Sequence, residues 1–118
     1  MTGRAYKLVS VAEWEVARVS GAYEGSAVDR ADGYIHMSTA AQLAETARRH
    51  YAGREGLLLV EVALDPLGEA LRWEPSRGGN LFPHLYGPLP LAAARSERRL
   101  AVTTDGTPVF EDGAAGWP

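Results

Sequence analysis

The spacing of apolar positions changes several times along the chain, and each change marks an element. Residues 4–9, R-A-Y-K-L-V, set Tyr6 and Leu8 against Lys7 and Val9, the two-residue alternation of a short opening strand. Ser10 then begins S-V-A-E, a capping box in which the Ser10 hydroxyl and the Glu13 carboxylate each satisfy an orphan backbone N–H. A helix through about Arg18 follows, with Val11, Trp14 and Ala17 on its buried side and Gly21 as its stop. Residues 25–33, G-S-A-V-D-R-A-D-G, hold turn formers without periodicity and read as a loop crossing one face of the domain.

The strongest helix comes next. Ala40, Leu43, Ala44, Ala47 and Tyr51 recur at helical spacing, with Gln42, Glu45 and Arg49 on the other side. Thr39 and Gln42 offer a second capping box, Glu45 and Arg49 an i,i+4 pair, and Gly53 a stop. The run from Leu57 to Leu64 reads as a strand flanked by apolar contacts on both sides and ends at the turn Asp65-Pro66-Leu67-Gly68. Leu71 to Glu74 reads as a short strand paired across that turn. Residues 75–90 hold four of the seven prolines and three glycines yet are rich in Leu, Phe and Tyr, which predicts an ordered, packed loop. Arg95 to Val102 reads as a last strand. The expected architecture is one α+β domain over residues 1–104, with about five short strands and two main helices, followed by a Gly- and Pro-rich tail over 105–118.

Composition narrows the function. A chain of 118 residues, 46% of them hydrophobic, supports one core and one domain. A formal charge of -3 argues against a duplex nucleic-acid or anionic-membrane binder and leaves room for a local basic pocket. The absence of cysteine excludes disulfides, iron–sulfur clusters and thiolate zinc sites and fits a reducing cytoplasm, the expected location. The longest strongly apolar run, Leu57 to Val60, is far too short to cross a bilayer.

A few polar residues carry the candidate chemistry. In the extended segment Tyr34-Ile35-His36-Met37-Ser38, side chains alternate, so His36 and Ser38 share a face just before the strong helix. A His and a hydroxyl at that spacing can bond a ribose or a phosphate near free helix N–H groups; the alternative is a structural His with Ser38 or Thr39 as a cap. Arg72 and Glu74 form a second same-face pair, either a surface ion pair or a device that orients a substrate hydroxyl, with Trp73 opposite them in the core. Ser76-Arg77-Gly78-Gly79 can form an anion-binding turn with Arg77 as its charge, although it lacks the lysine and spacing of a nucleotide P-loop. His84 and Tyr86 repeat the same-face spacing between flanking prolines, which restrict the loop as a preorganised site requires. Glu61 interrupts an apolar strand and needs a partner unless it lies at an edge. The three histidines lack metal-ligand spacing, so no metal is expected; His50 reads as a helix C-terminal charge and Asp29 and Asp32 as loop solubilisers.

Three motifs together, Y-K-L-V at 6–9, D-G-Y-I-H-M-S-T at 32–39 and R-W-E-P-S-R-G-G-N-L-F-P-H-L-Y-G-P-L at 72–89, resemble the bacterial family known as domain of unknown function 952. The resemblance covers nearly the whole chain to about Leu100. It implies a fold related to the ADP-ribosyltransferases, a split, strongly curved α+β sheet with a cleft, and no established activity. Within that superfamily the chain is similar to the NAD-using RNA 2'-phosphotransferases, whose V-H-L-S-like segment aligns with His36 and Ser38. Lys7-Leu8-Val9 stands where those enzymes carry a cofactor-holding His-Gly-Thr, and Glu97, in R-S-E-R-R, lies in the region of the late catalytic glutamate of classical ADP-ribosyltransferases.

Three functions follow as expectations. The first is a transferase-like enzyme acting on a nucleotide or phosphorylated ribose compound, with NAD as the candidate cofactor. In it His36, Arg72, Glu74 and His84 carry the chemistry, and Lys7, Ser38, Arg77 and Tyr86 bind the ligand. The second is a non-catalytic pocket for a small anion or nucleotide. The third is an interaction module in which Phe82, Leu85 and Tyr86 form an exposed apolar patch.

Overall fold

The computed structural model describes residues 3–114 and 116–118, with the backbone but not the side chain of Arg77. The opening alternation forms β1 (Arg4–Ser10), and Ser10 caps α1 (Val11–Ser20) by accepting the Glu13 N–H at 3.0 Å. Trp14 and Ala17 face the core, and Gly21, in the left-handed region at φ 91°, ends the helix. Next come β2 (Ala22–Tyr23), α2 (Ala27–Asp32) and β3 (Ile35–His36). The predicted strong helix starts as a 3-10 turn at Ala40–Gln42, where Gln42 Oε1 accepts the Thr39 N–H at 3.0 Å, and continues as α3 (Leu43–His50). Its buried stripe is Leu43 and Ala47, while Ala40 and Ala44 are exposed.

The apolar run becomes β4 (Leu57–Ala63), paired on both edges with β1 and β8 (Ala94–Val102) and buried on both faces because one apolar cluster covers each. With β9 (Pro108–Phe110) these make a four-stranded antiparallel sheet in the order β1-β4-β8-β9. A second sheet runs β3-β6-β5, with β5 at Leu71–Pro75 and β6 at Leu81–Leu85; β2 pairs with β7 (Leu89–Pro90). The first two sheets are stitched by Tyr6 and Ser38, which exchange both backbone bonds at 2.8 and 2.9 Å. One apolar cluster, with Trp14, Tyr23, Ile35 and Val60, fills the side of the large sheet toward α1 and α2; the other, with Leu8, Leu43, Leu59 and Phe110, fills the side toward α3. The whole is a single α+β domain with a Cα radius of gyration of 13.4 Å, as expected for one domain of this length. Among the described residues no helix is long and apolar enough to cross a membrane.

Four expectations need correction. Residues 25–33 are not a loop throughout: Ser26 and Asp29 form a capping box that starts α2. The strand at Leu71 pairs with β6 and not back onto β4, because β4 already has a partner on each edge. The packed stretch at 75–90 is ordered as predicted, but it supplies β6 and β7 and raises the strand number above the predicted one. Trp73 is 45% exposed and not core, because the core that takes Leu71 on the same face of β5 does not extend over it. In the tail segment, β9 brings Phe110 into the core against Trp117.

Candidate functional site

The short sheet aligns the candidate residues by register. His36 on β3 pairs with His84 on β6, and His84 pairs with Arg72 on β5, so these three project from one face, while Ile35, Leu85 and Leu71 project from the other into the core. The two imidazole centroids are 5.6 Å apart, edge to face. Tyr34 holds them there: its ring stacks on His84 at 4.1 Å and lies 4.6 Å from His36.

Each imidazole is held by a carboxylate. His84 Nδ1 meets Glu74 Oε1 at 2.8 Å, and the Tyr86 hydroxyl donates to the same oxygen at 2.7 Å. Those donations from Tyr86 and His84 hold the Glu74 carboxyl below the usual carboxylate range, so it stays ionised. His84 is 3% exposed, and with Nδ1–H on an ionised acceptor, a neutral His84 ring carries its free acceptor on Nε2. Arg72 covers the Tyr86 ring, its guanidinium carbon 5.1 Å from the centroid.

His36 sits between two acids, Nδ1 on Asp29 Oδ1 at 2.6 Å and Nε2 on Asp32 Oδ2 at 2.9 Å. Asp29 is the hub. It is 2% exposed and accepts from the Ser26 and His36 backbone N–H groups and from Lys7 Nζ at 3.0 Å. Burial pushes its carboxyl up, but the His36 bond and the Lys7 ammonium outweigh burial and hold it well below the usual range. Burial pulls the Lys7 ammonium down, opposed by Asp29. Asp29 is therefore not a solubiliser, while Asp32 is exposed and also meets His36. The sequence signal was present in Ser26-Ala27-Val28-Asp29, an [ST]-x-x-[DE] cap that fixes where the carboxylate points. Gly25 leaves room for it: at φ 103°, an added Cβ would stand 2.9 Å from the Asp29 Cβ. Gly25→Ala is expected to lower stability by about 1–3 kcal/mol through strain and contact, read from the urea midpoint; an unchanged midpoint would show that the hub tolerates displacement.

A cavity of about 610 Å³ opens beside these groups. Lys7, His36, Ser38 and His84 line it, together with Thr46, Tyr51, Arg54 and Tyr23. Ser38 is buried and shares a hydrogen bond with Thr46 at 2.9 Å. Four predicted residues thus meet at one hollow. Glu74, Arg72 and Tyr86 do not line it and act from behind His84, and the Arg77 side chain lies outside the described residues. Phe82 and Leu85 are buried and only Tyr86 of that trio is exposed, so the three form no apolar patch. Glu61 pairs with Arg4, and Glu97 accepts the Trp14 indole N–H at 2.9 Å and pairs with Arg18, away from the cavity. Among the described residues no cluster of three or more His, Cys, Asp or Glu is arranged to hold a metal.

The model of a family described as a protein of unknown function (DUF952) matches residues 8–96, three quarters of the chain, and includes every one of these site residues except Lys7. The chain belongs to the DUF952 family. It is similar to the protein CC0527 of Caulobacter crescentus, whose crystal structure superposes with a TM-score of 0.85 at 48% identity over 91% of this chain and 94% of that one. The solution NMR structure of CC0527 superposes with a TM-score of 0.76 at 48% identity over 87% and 89%. No curated protein matches the chain. The DUF952 match spans both α2, with its buried Asp29, and the hairpin that carries Glu74 and His84.

Proposed function

We propose that the cavity binds a nucleotide or another phosphorylated ribose compound, and that the protein is a transferase-like enzyme with His84 as its general base. One observation carries this reading: Lys7, His36, Ser38 and His84, brought from three separate stretches of chain, converge on a single hollow. Its volume is that of a small-molecule site. Arg54 supplies positive charge for an anionic ligand, Ser38 and Thr46 supply hydroxyl donors on the same side of β1, and Lys7, paired with Asp29, lines the other side. Glu74 fixes the His84 tautomer so that Nε2 takes the proton. As a ligand hydroxyl attacks an electrophilic phosphorus or anomeric carbon, its O–H bond breaks, the proton passes to Nε2, and the leaving group departs with the bonding pair.

The finer likeness to ADP-ribosyltransferases, with NAD as co-substrate, draws support from the position of the cavity where two antiparallel sheets part beyond the Tyr6–Ser38 bridge. The placement of Glu97 on Trp14 and Arg18 favours a second reading, a non-catalytic pocket for a small anion, because that carboxylate does not reach the cavity. Titration with NAD, ADP-ribose and a 2'-phosphorylated oligonucleotide, followed by the His ring NMR signals, tests both. His36 and His84 are expected to shift with at least one probe, and no shift with any of them overturns the site. Saturable binding without turnover selects the second reading.

A further inference from the structure

The Tyr23 hydroxyl is the buried side-chain polar atom that, among the described residues, has no hydrogen-bond partner. Tyr23 is 3% exposed, its ring lies 5.5 Å from Trp14, and the residue lines the cavity. A hydroxyl buried without a partner costs the folded state stability that folding alone does not return, so its retention calls for something that bonds it. Burial pushes the phenol well above its usual range, with Asp29 and Glu13 adding to the effect, so Tyr23 stays a neutral donor and acceptor.

The surroundings say what kind of group it takes. β1 is the outer strand of the large sheet, and its side chains part around it: Tyr6 and Leu8 go to the α3 side, Lys7 and Val9 to the α1 and α2 side. The cavity touches both sides. At the α3 end stand Thr46, Tyr51 and Arg54, whose guanidinium lies over the Tyr51 ring at 5.0 Å. At the Tyr23 end stand Glu13 and Asp29. Lys7, on the same side, is matched by Asp29, so a phosphate placed there meets the Glu13 carboxylate, whereas at the other end it meets Arg54; a neutral hydroxyl-bearing group is not repelled by Glu13.

Resting on the reading of the cavity as a ligand site, we propose that Tyr23 is a ligand contact: its hydroxyl bonds the uncharged, hydroxyl-bearing part of the ligand, while the phosphate lies toward Arg54. The ligand therefore spans the cavity with its charge at one end and its sugar hydroxyls at the other. Nothing in the folded protein would be lost with that hydroxyl, and this separates a ligand contact from a structural tyrosine.

Tyr23→Phe tests it. The variant is expected to melt at or above the wild-type temperature, to bind ADP-ribose roughly tenfold more weakly, and to bind inorganic phosphate as the wild type does. Equal ADP-ribose affinity in both proteins overturns the contact while leaving the cavity reading intact. A variant that melts lower or fails to fold also overturns it, by showing that the hydroxyl has a structural partner such as a buried water. If the wild type itself binds neither probe, the cavity reading falls, and this inference with it.

Discussion

Asp29→Ala is expected to destabilise the fold by about 3–5 kcal/mol, the cost of removing one partner of a buried ion pair. The loss is large because one side chain serves four groups: Lys7 Nζ, the His36 ring, the His36 N–H and the Ser26 N–H that starts α2. Without it the Lys7 ammonium, 5% exposed, is left in a low-dielectric interior with no directly bonded counter-charge, only the more distant Glu13. Asp29→Asn isolates that charge effect, since the amide keeps the shape and one acceptor oxygen. Lys7→Met in the Asn background is expected to recover more than half of the loss, because no uncompensated charge then remains. The pH dependence has a definite sign. The folded carboxyl titrates below its unfolded value of about 4, so its stabilisation is full above that value and is lost as pH falls through the depressed folded one. Urea midpoints from neutral to acid pH should therefore converge for wild type and Asp29→Ala at the acid end. An Ala variant within about 1 kcal/mol of wild type at neutral pH, the range of ordinary surface substitutions, would remove Asp29 from the centre of the site.

How far the sequence led depends on whether each signal was local. The caps at Ser10 and Gln42, the buried Trp14 and Ala17, and the burial of β4 on both faces were all readable, since each follows from a spacing of a few residues. The same-face pairs His36 with Ser38 and His84 with Tyr86 were readable for the same reason. What alternation could not supply was the partner strand. The turn at Asp65-Pro66-Leu67-Gly68 suggests pairing of Leu71–Glu74 with the preceding strand, yet its partner is β6, and that pairing together with β3–β6 sets Arg72, His84 and His36 in one row. Asp29 was missed although its cap pattern was present, because a six-residue helix has too few positions for an apolar period to emerge. Its burial follows from Lys7, 22 residues earlier, a long-range ion pair that no local pattern encodes. Trp73 erred in the other direction, since a large aromatic on a strand predicts burial only where another element covers that face.

His84→Gln is expected to lower turnover of a 2'-phosphorylated oligonucleotide in the presence of NAD by about 10²- to 10⁴-fold, the usual contribution of a general base. The amide N–H₂ of glutamine can still donate to Glu74, so the hairpin keeps its tie, but no nitrogen remains to accept a proton. Binding of ADP-ribose, followed by the His36 ring signal, should change little, since the proposed site would hold the charge of the ligand through Arg54 and the hydroxyls beside α3 and not through His84. Glu74→Gln should give a smaller loss, in kcat more than in KM, because Glu74 touches His84 and not the cavity and acts by fixing the ring tautomer. Tyr86→Phe, which removes one donor to Glu74, should fall between Glu74→Gln and wild type. This ordering distinguishes a proton-transfer chain from a packing role: if His84 only filled space beneath Tyr34, the three variants would track melting temperature and not turnover. A wild-type protein that binds these probes without converting any of them, together with a His84→Gln variant that binds equally well, would assign the same cavity to recognition without catalysis.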